Sequence, residues 1–207
     1  MYQFIDLSSN NSIDSFRKVG RTSIEGAWIK VGGGGETAPH SVYTHRNFHS
    51  WGKQLRNVGV RVGGYWFAVP MLDDAKKQAQ EFAERLGAIE RRDLRPVLDF
   101  ERNTYGLSNS ALETWAHTFS QETKRLTGIG PLYYSYASYL HASVPVGYGL
   151  WLADYTNPNP PAPAPWKHYV AHQYTSRGQV SGINNNVDLS RAPKLRPLLA
   201  HPIRGLL

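Results

Sequence analysis

The segment LRPVLDFERN, residues 94–103, decides how this chain is to be folded. Leu94, Val97, Leu98 and Phe100 are apolar, and Pro96 stands near the start, where a strand tolerates proline. The stretch reads as a buried strand, yet it ends in two acids, Asp99 and Glu101. Residues i and i+2 of a strand share a face, about 6.6 Å apart along the backbone. Both carboxylates therefore project together, opposite Phe100. Like charges so placed repel, which destabilises the strand end unless something there uses them.

The flanking sequence supplies the rest of a sheet. YQFIDL (2–7), GAWIKV (26–31) and VRVGGYWFAV (60–69) read as strands before the opening segment, and PLYYSY (131–136) as one after it. Helical spacing separates them: Ile13, Phe16 and Val19 up to Gly20; Phe48, Trp51, Leu55 and Val58 up to Gly59. A third helix is expected from about Asp73, with Ala75, Ala79, Phe82 and Leu86 inward and Gly87 as its stop. For the fourth, Ser110 and Glu113 have capping-box spacing, and Leu112, Trp115, Phe119 and Leu126 form one face before Gly128. Alternating strands and helices of this length imply a parallel sheet covered by helices.

After about residue 145 the rhythm changes. GLWLADY (149–155), HYVAHQY (168–174) and NNVDLS (185–190) read as short strands without room for full helices between them, and NPNPPAPAP (157–165) as a surface loop. Five βα units and three further strands predict an irregular, TIM-like (β/α)5(β)3 barrel, a single α/β domain over residues 1–190. An open doubly wound sheet would keep its helices to the end. Residues 191–207, with Arg191, Lys194, Arg196 and Arg204 and no acid, read as a basic tail or linker.

Composition narrows the class. A chain of 207 residues with 41% hydrophobic residues can bury a sizeable core. No apolar run approaches the ~20 residues of a membrane span, so no membrane partner is expected. The first residues, MYQFIDLSSN, lack a basic region followed by an apolar one, and no signal peptide is expected. The absence of cysteine excludes disulfides, thiol catalysis and thiolate metal sites. A net charge of +7 fits a solvated basic surface, or attraction to a polyanion, either nucleic acid or the anionic wall of a bacterium, and charge alone does not separate those two.

Asp6 ends the first strand and Asp188 the last. Closing a barrel makes those strands neighbours, so Asp6, Asp99, Glu101 and Asp188 meet at the rim where barrel strands present their carboxyl ends. For Asp6, followed by Ser8, Ser9 and Asn10, helix capping is a competing use. Carboxylates suit oxygen-ligated Mg²⁺ or Ca²⁺, or acid–base catalysis. The histidines contain no His-x-His pair, His40, His45 and His49 lack a third ligand in sequence, and neither a metal nor a cofactor is expected. Glycoside hydrolysis needs one carboxyl protonated and another ionised, an asymmetry that crowded acids provide. Glu101, among the three aspartates, is the expected general acid.

Tyr65, Trp66, Tyr133, Tyr134, Trp151, Tyr155 and Tyr174 lie near strand ends, where aromatic faces could stack on sugar rings, and Gln173 offers an amide to hydroxyl or acetamido groups. VGGGGET (31–37) lacks the Lys-Ser/Thr of a phosphate loop and is expected to bring backbone close to the barrel mouth.

FIDLSSNNSID, AWIKV, GGYWFAVP, RPVLDFE, TGIGPLYYSY, LWLADY and HQYTSRGQVSGINNNVDLS occur in an order that resembles glycoside hydrolase family 25, the Chalaropsis-type lysozymes common as bacteriophage endolysins. The resemblance runs from about residue 2 to 190. It implies the (β/α)5(β)3 barrel and cleavage of the β-1,4 bond between N-acetylmuramic acid and N-acetylglucosamine of bacterial peptidoglycan. It gives Glu101 the role of general acid and Asp99 that of ionised partner, either stabilising a ring formed by the substrate's 2-acetamido group or acting more directly. Asp6 and Asp188 match flanking acids, and Lys30, Tyr65, Tyr134 and Trp151 match groove positions. It implies a monomer, no nucleic-acid partner, and a phage-encoded enzyme held in the host cytoplasm until release to the wall. Three positions depart from the family pattern. VGGGGE follows Lys30, Trp66 stands where His usually follows the tyrosine, and His172 replaces a frequent Trp. These put subsite preference in question.

Overall fold

The computed structural model describes residues 1–34, 43–71, 74–87, 93–140 and 148–200. Nine strands and four α-helices follow the expected alternation over these residues. In chain order they are β1 (Tyr2–Leu7), α1 (Phe16–Val19), β2 (Ile24–Gly33), β3 (Tyr43–Thr44), α2 (Phe48–Asn57), β4 (Arg61–Phe67), α3 (Ala75–Gly87), β5 (Val97–Asp99), α4 (Asn109–Thr127), β6 (Leu132–Tyr136), β7 (Leu150–Ala153), β8 (Ala171–Gly178) and β9 (Val187–Ala192). A 3₁₀ turn, Arg196–Leu198, follows. Among the described residues no helix is long and apolar enough to cross a membrane.

Eight strands close into a barrel in the order β1-β2-β4-β5-β6-β7-β8-β9, and the two-residue β3 pairs with the end of β2. From β1 round to β8 every barrel neighbour is parallel. The last strand corrects the sequence reading: β9 is antiparallel to both β8 and β1. The connection over residues 179–186 is shorter than the dozen or so residues a parallel crossover needs, so the chain doubles back as a hairpin. Between β7 and β8 the proline-rich loop makes the parallel crossover in place of a helix.

Strand alternation sorts the core into two layers. Phe4, Trp28, Tyr65, Val97, Leu132, Trp151 and Ala171 fill the barrel interior. Ile5, Ile29, Trp66, Leu98, Tyr133 and Leu152 point outward, under helix residues such as Leu55, Phe82 and Phe119. Gly63 makes room for an interior ring, since a methyl carbon there would lie 2.7 Å from Trp28. Phe82 and Phe119 stack at 5.9 Å, joining α3 to α4.

Some local readings change. Ile13 is not helical but bridges Ile183, leaving α1 a single turn. The cap of α4 is Ser108, whose side chain accepts from the Ala111 N–H, and Leu126 is exposed. Gly59 and Gly128 have φ of 87° and 78° and end α2 and α4 as expected. Asp73 lies outside the described residues. Residues 191–200 are part of the fold and not a free tail. Arg191 and Ala192 belong to β9, Leu198 is fully buried in the barrel interior, and the Arg95 N–H donates to Leu198 O at 2.8 Å.

Candidate active site

The acids reach one rim because β1 and β5 end there and β9 begins there. Asp6 is the penultimate residue of β1, and its Cα partner across the β1–β9 ladder is Asp188. Asp188 sits near the start of its strand, not at the end as the sequence reading has it. The antiparallel direction of β9 is what brings the two together. Asp99 closes β5, between Phe67 on β4 and Tyr134 on β6. Phe100 turns outward, packing on Trp115 at 6.0 Å and Tyr139 at 5.6 Å, and its N–H donates to Tyr134 O. The extended backbone therefore continues past β5 and returns Glu101 to the side of Asp99. Ser135 Oγ donates to Phe100 O at 2.7 Å and Tyr136 Oη to Glu101 O at 3.0 Å, which pins this segment.

Burial and mutual repulsion dominate the electrostatics. Asp99 is 7% exposed, and burial pushes its pKa well above the usual carboxylate range. Glu101 and Asp6 push the same way, while Lys30 and Arg102 oppose them. Asp6 is raised for the same leading reason, with Asp188 and Glu101 adding and a hydrogen bond from Gln173 subtracting. Burial lifts Asp188 to about 6. Asp99, the ionised partner in the sequence reading, thus carries opposing influences: burial and neighbouring acids raise its pKa, and Lys30 and Arg102 lower it. Among the described residues, the buried Oδ1 of Asp99 has no hydrogen-bond partner. The same residues contain no group of three His, Cys, Asp or Glu set to hold a metal ion.

The expected ligand-binding residues separate by depth. Tyr134 is half-buried and Tyr155 is 52% exposed, and both hydroxyls donate to Gln173 Oε1, at 2.8 and 2.5 Å. Trp151 and Tyr65 lie beneath them in the barrel interior. Trp151 packs edge-on to Tyr134 at 5.0 Å and donates its indole N–H to Ser190 Oγ. Lys30 is buried, with Nζ donating to Gly34 O at 2.7 Å and lying 4.6 Å from the Phe67 ring centre. Trp66 does not join this group. It faces outward, stacks near Phe82 and donates its indole N–H to Gln78 Oε1 at 3.0 Å. Its neighbour Tyr65 already takes the inward position, and alternation sends Trp66 under α3. Tyr133 is likewise buried outward, its hydroxyl on Ala116 O.

His45 is buried at the end of β2 and β3, against Trp51, and His40 lies outside the described residues. Residues 35–37 of the glycine run lie outside the described residues; within the described part, Gly33 has φ of 100°, and a side chain there would collide with Phe67 O. Phe67, Arg102 and Tyr136 escape the sequence reading. Arg102 lies over the Phe67 ring at 5.3 Å and bears on Asp99 and Tyr136. Its position directly after Glu101 is the signal that could have found it.

The family model for glycosyl hydrolases family 25 matches residues 5–183, and the chain belongs to that family. Lysozyme M1 of Streptomyces globisporus is 30% identical over 148 residues, 65% of this chain and 50% of that one. The chain spans about half the length of the curated relatives it matches. The bacterial lysozyme of Streptomyces coelicolor superposes with a TM-score of 0.79 at 26% identity, covering 93% of this chain and 92% of that one. The spore cortex lytic enzyme SleM of Clostridium perfringens gives 0.84 at 25% identity, covering 96% and 69%.

Proposed function

We propose that this chain is a peptidoglycan hydrolase, an N-acetylmuramidase cleaving the β-1,4 bond between N-acetylmuramic acid and N-acetylglucosamine. The observation that carries the reading is the meeting of Asp6, Asp188, Asp99 and Glu101 at the barrel mouth, each close enough to another to bear on its charge. Family membership and similarity to lysozymes support the substrate class.

In this reading Glu101 gives its proton to the glycosidic oxygen as the bond breaks. Asp99 faces the sugar carbon on which positive charge develops. Its unpartnered Oδ1 is an acceptor suited to the N–H of the substrate's 2-acetamido group, and Lys30 and Arg102 assist its ionisation. Tyr134 and Tyr155 offer ring faces to the saccharide, over a floor of Trp151 and Tyr65. Asp6 and Asp188 tune the charge of the pair. No metal or cofactor takes part in this scheme.

The test is digestion of purified peptidoglycan, with mass spectrometry of the products. A muramidase leaves N-acetylmuramic acid at the new reducing end, and Glu101→Gln should lower its release by at least ~1,000-fold with an unchanged circular dichroism spectrum. Full turnover by that variant, or a different reducing end, would overturn the reading.

The finer reading is a monomeric, phage-encoded lysin, held in the host cytoplasm and acting on the wall at release, with neither nucleic acid nor membrane as partner. The surplus of seven positive charges suits the anionic wall on which such a lysin would act. Cells expressing the chain in the cytoplasm should lyse only after their membrane is permeabilised. Lysis without permeabilisation, or none with it, would count against this role.

A further inference from the structure

Gln173 was expected to bond the sugar, but its amide is already committed inside the protein. It is 2% exposed, on β8. Oε1 accepts from Tyr134 Oη on β6 and from Tyr155 Oη after β7, while Nε2 donates to Asp6 Oδ2 on β1 at 2.9 Å. In this orientation the amide serves all three partners. Burial holds both hydroxyls in the protonated form, so each brings an O–H to the same oxygen. With Asp6 ionised, a flipped amide would set its carbonyl oxygen against a carboxylate oxygen. Asp6 Oδ2 therefore receives an N–H and acts as an acceptor.

We infer that Gln173 is a positioning residue. Together with Tyr134 and Tyr155 it reserves Asp6 Oδ2 as an acceptor, so that Asp6 can bind a proton on Oδ1 only. The inference rests on the reading of Asp6 as a member of the catalytic cluster. The titratable groups facing Asp6 are Asp188 on β9, Asp99 and Glu101 at the end of β5, and Tyr134 and Tyr155. The hydrogen bond from Gln173 opposes what burial and Asp188 do to Asp6. Losing it makes Asp6 hold its proton to higher pH. Tyr155 gains a role on a surface loop: its hydroxyl helps set the orientation of an amide that governs a carboxyl on the opposite side of the barrel seam.

The experiment is steady-state kinetics on soluble peptidoglycan fragments from pH 3 to 9. Wild-type turnover comes first, since its absence defeats the muramidase reading and not this one. In Gln173→Glu the N–H becomes an acceptor. The expected result is kcat lower by about 100-fold, an acid limb moved to higher pH, and KM within about twofold. Tyr155→Phe removes one of the two donors at an exposed position and should move the acid limb the same way by a smaller amount. It keeps the inference testable if Gln173→Glu fails to fold. A KM raised tenfold or more with an unmoved acid limb would make Gln173 a saccharide ligand and overturn the proposal. An unmoved limb in Tyr155→Phe, with wild-type kcat, would overturn it as well.

Discussion

Asp188 shows at the scale of one residue how a buried carboxyl weakens the fold that holds it. Burial raises its folded pKa to about 6, against about 4 in an unfolded chain. Below pH 4 it is protonated in both states and its shift has no effect on stability. As pH rises from 4 to 6 the unfolded chain loses the proton first, so stability falls, and above 6 the loss is complete. Asp188→Asn should therefore be more stable than wild type above pH 6, by about 1 kcal/mol or ~3 °C once partial exposure is allowed for, and equal to it below pH 4. Thermal melts across that range check it, and a gain that persists at pH 3 would contradict the account. At this scale the acids were legible, because i, i+2 spacing and strand-end position are properties of the sequence. Which neighbour of Tyr65 faces the mouth was equally written in the alternation, yet Trp66 was drawn toward the site by its ring alone. The burial of Asp99 was not legible, because it is set by residues far away in sequence.

At the scale of elements, periodicity located the helices better than it located their ends. The buried face of α4 holds through Leu112, Trp115 and Phe119, but its start was assigned two residues late. Ser108 and Ser110 both suit a cap, and the backbone decides between them: Ser108 has the extended ψ of 158° that lets its Oγ meet the Ala111 N–H. Ser108→Ala should cost about 1 kcal/mol in urea unfolding, while Ser110→Ala should stay within about 0.5 kcal/mol. The reverse order would restore the capping box at 110 and 113. The direction of β9 was unreadable for a different reason. A short strand carries the same alternation either way round, and only the length of the preceding connection separates parallel from antiparallel.

For the whole molecule, the rhythm of five strands with intervening helices was enough to prefer closure over an open sheet. The base of the barrel was not foreseen. Residues 191–207 look like a basic tail or linker because their charges are conspicuous, but those up to 200 are described and pack. Their apolar members do the structural work: Leu198 enters the interior beside Phe4 and Leu94, and Leu199 bridges Leu94. The segment also returns a backbone bond, from the Ala200 N–H to Asp93 O. A charge run was thus mistaken for the end of a domain that it helps to close.

That arrangement has a practical side. The described chain ends beneath the barrel, beside the segment leading into β5, whereas the acids stand at the far ends of the same strands. An affinity tag or surface anchor joined directly after Ala200, in a chain shortened to that residue, would pull from the floor. Molecules tethered that way would stand with their clefts turned toward the medium, a favourable orientation for an immobilised enzyme that must meet an insoluble polymer.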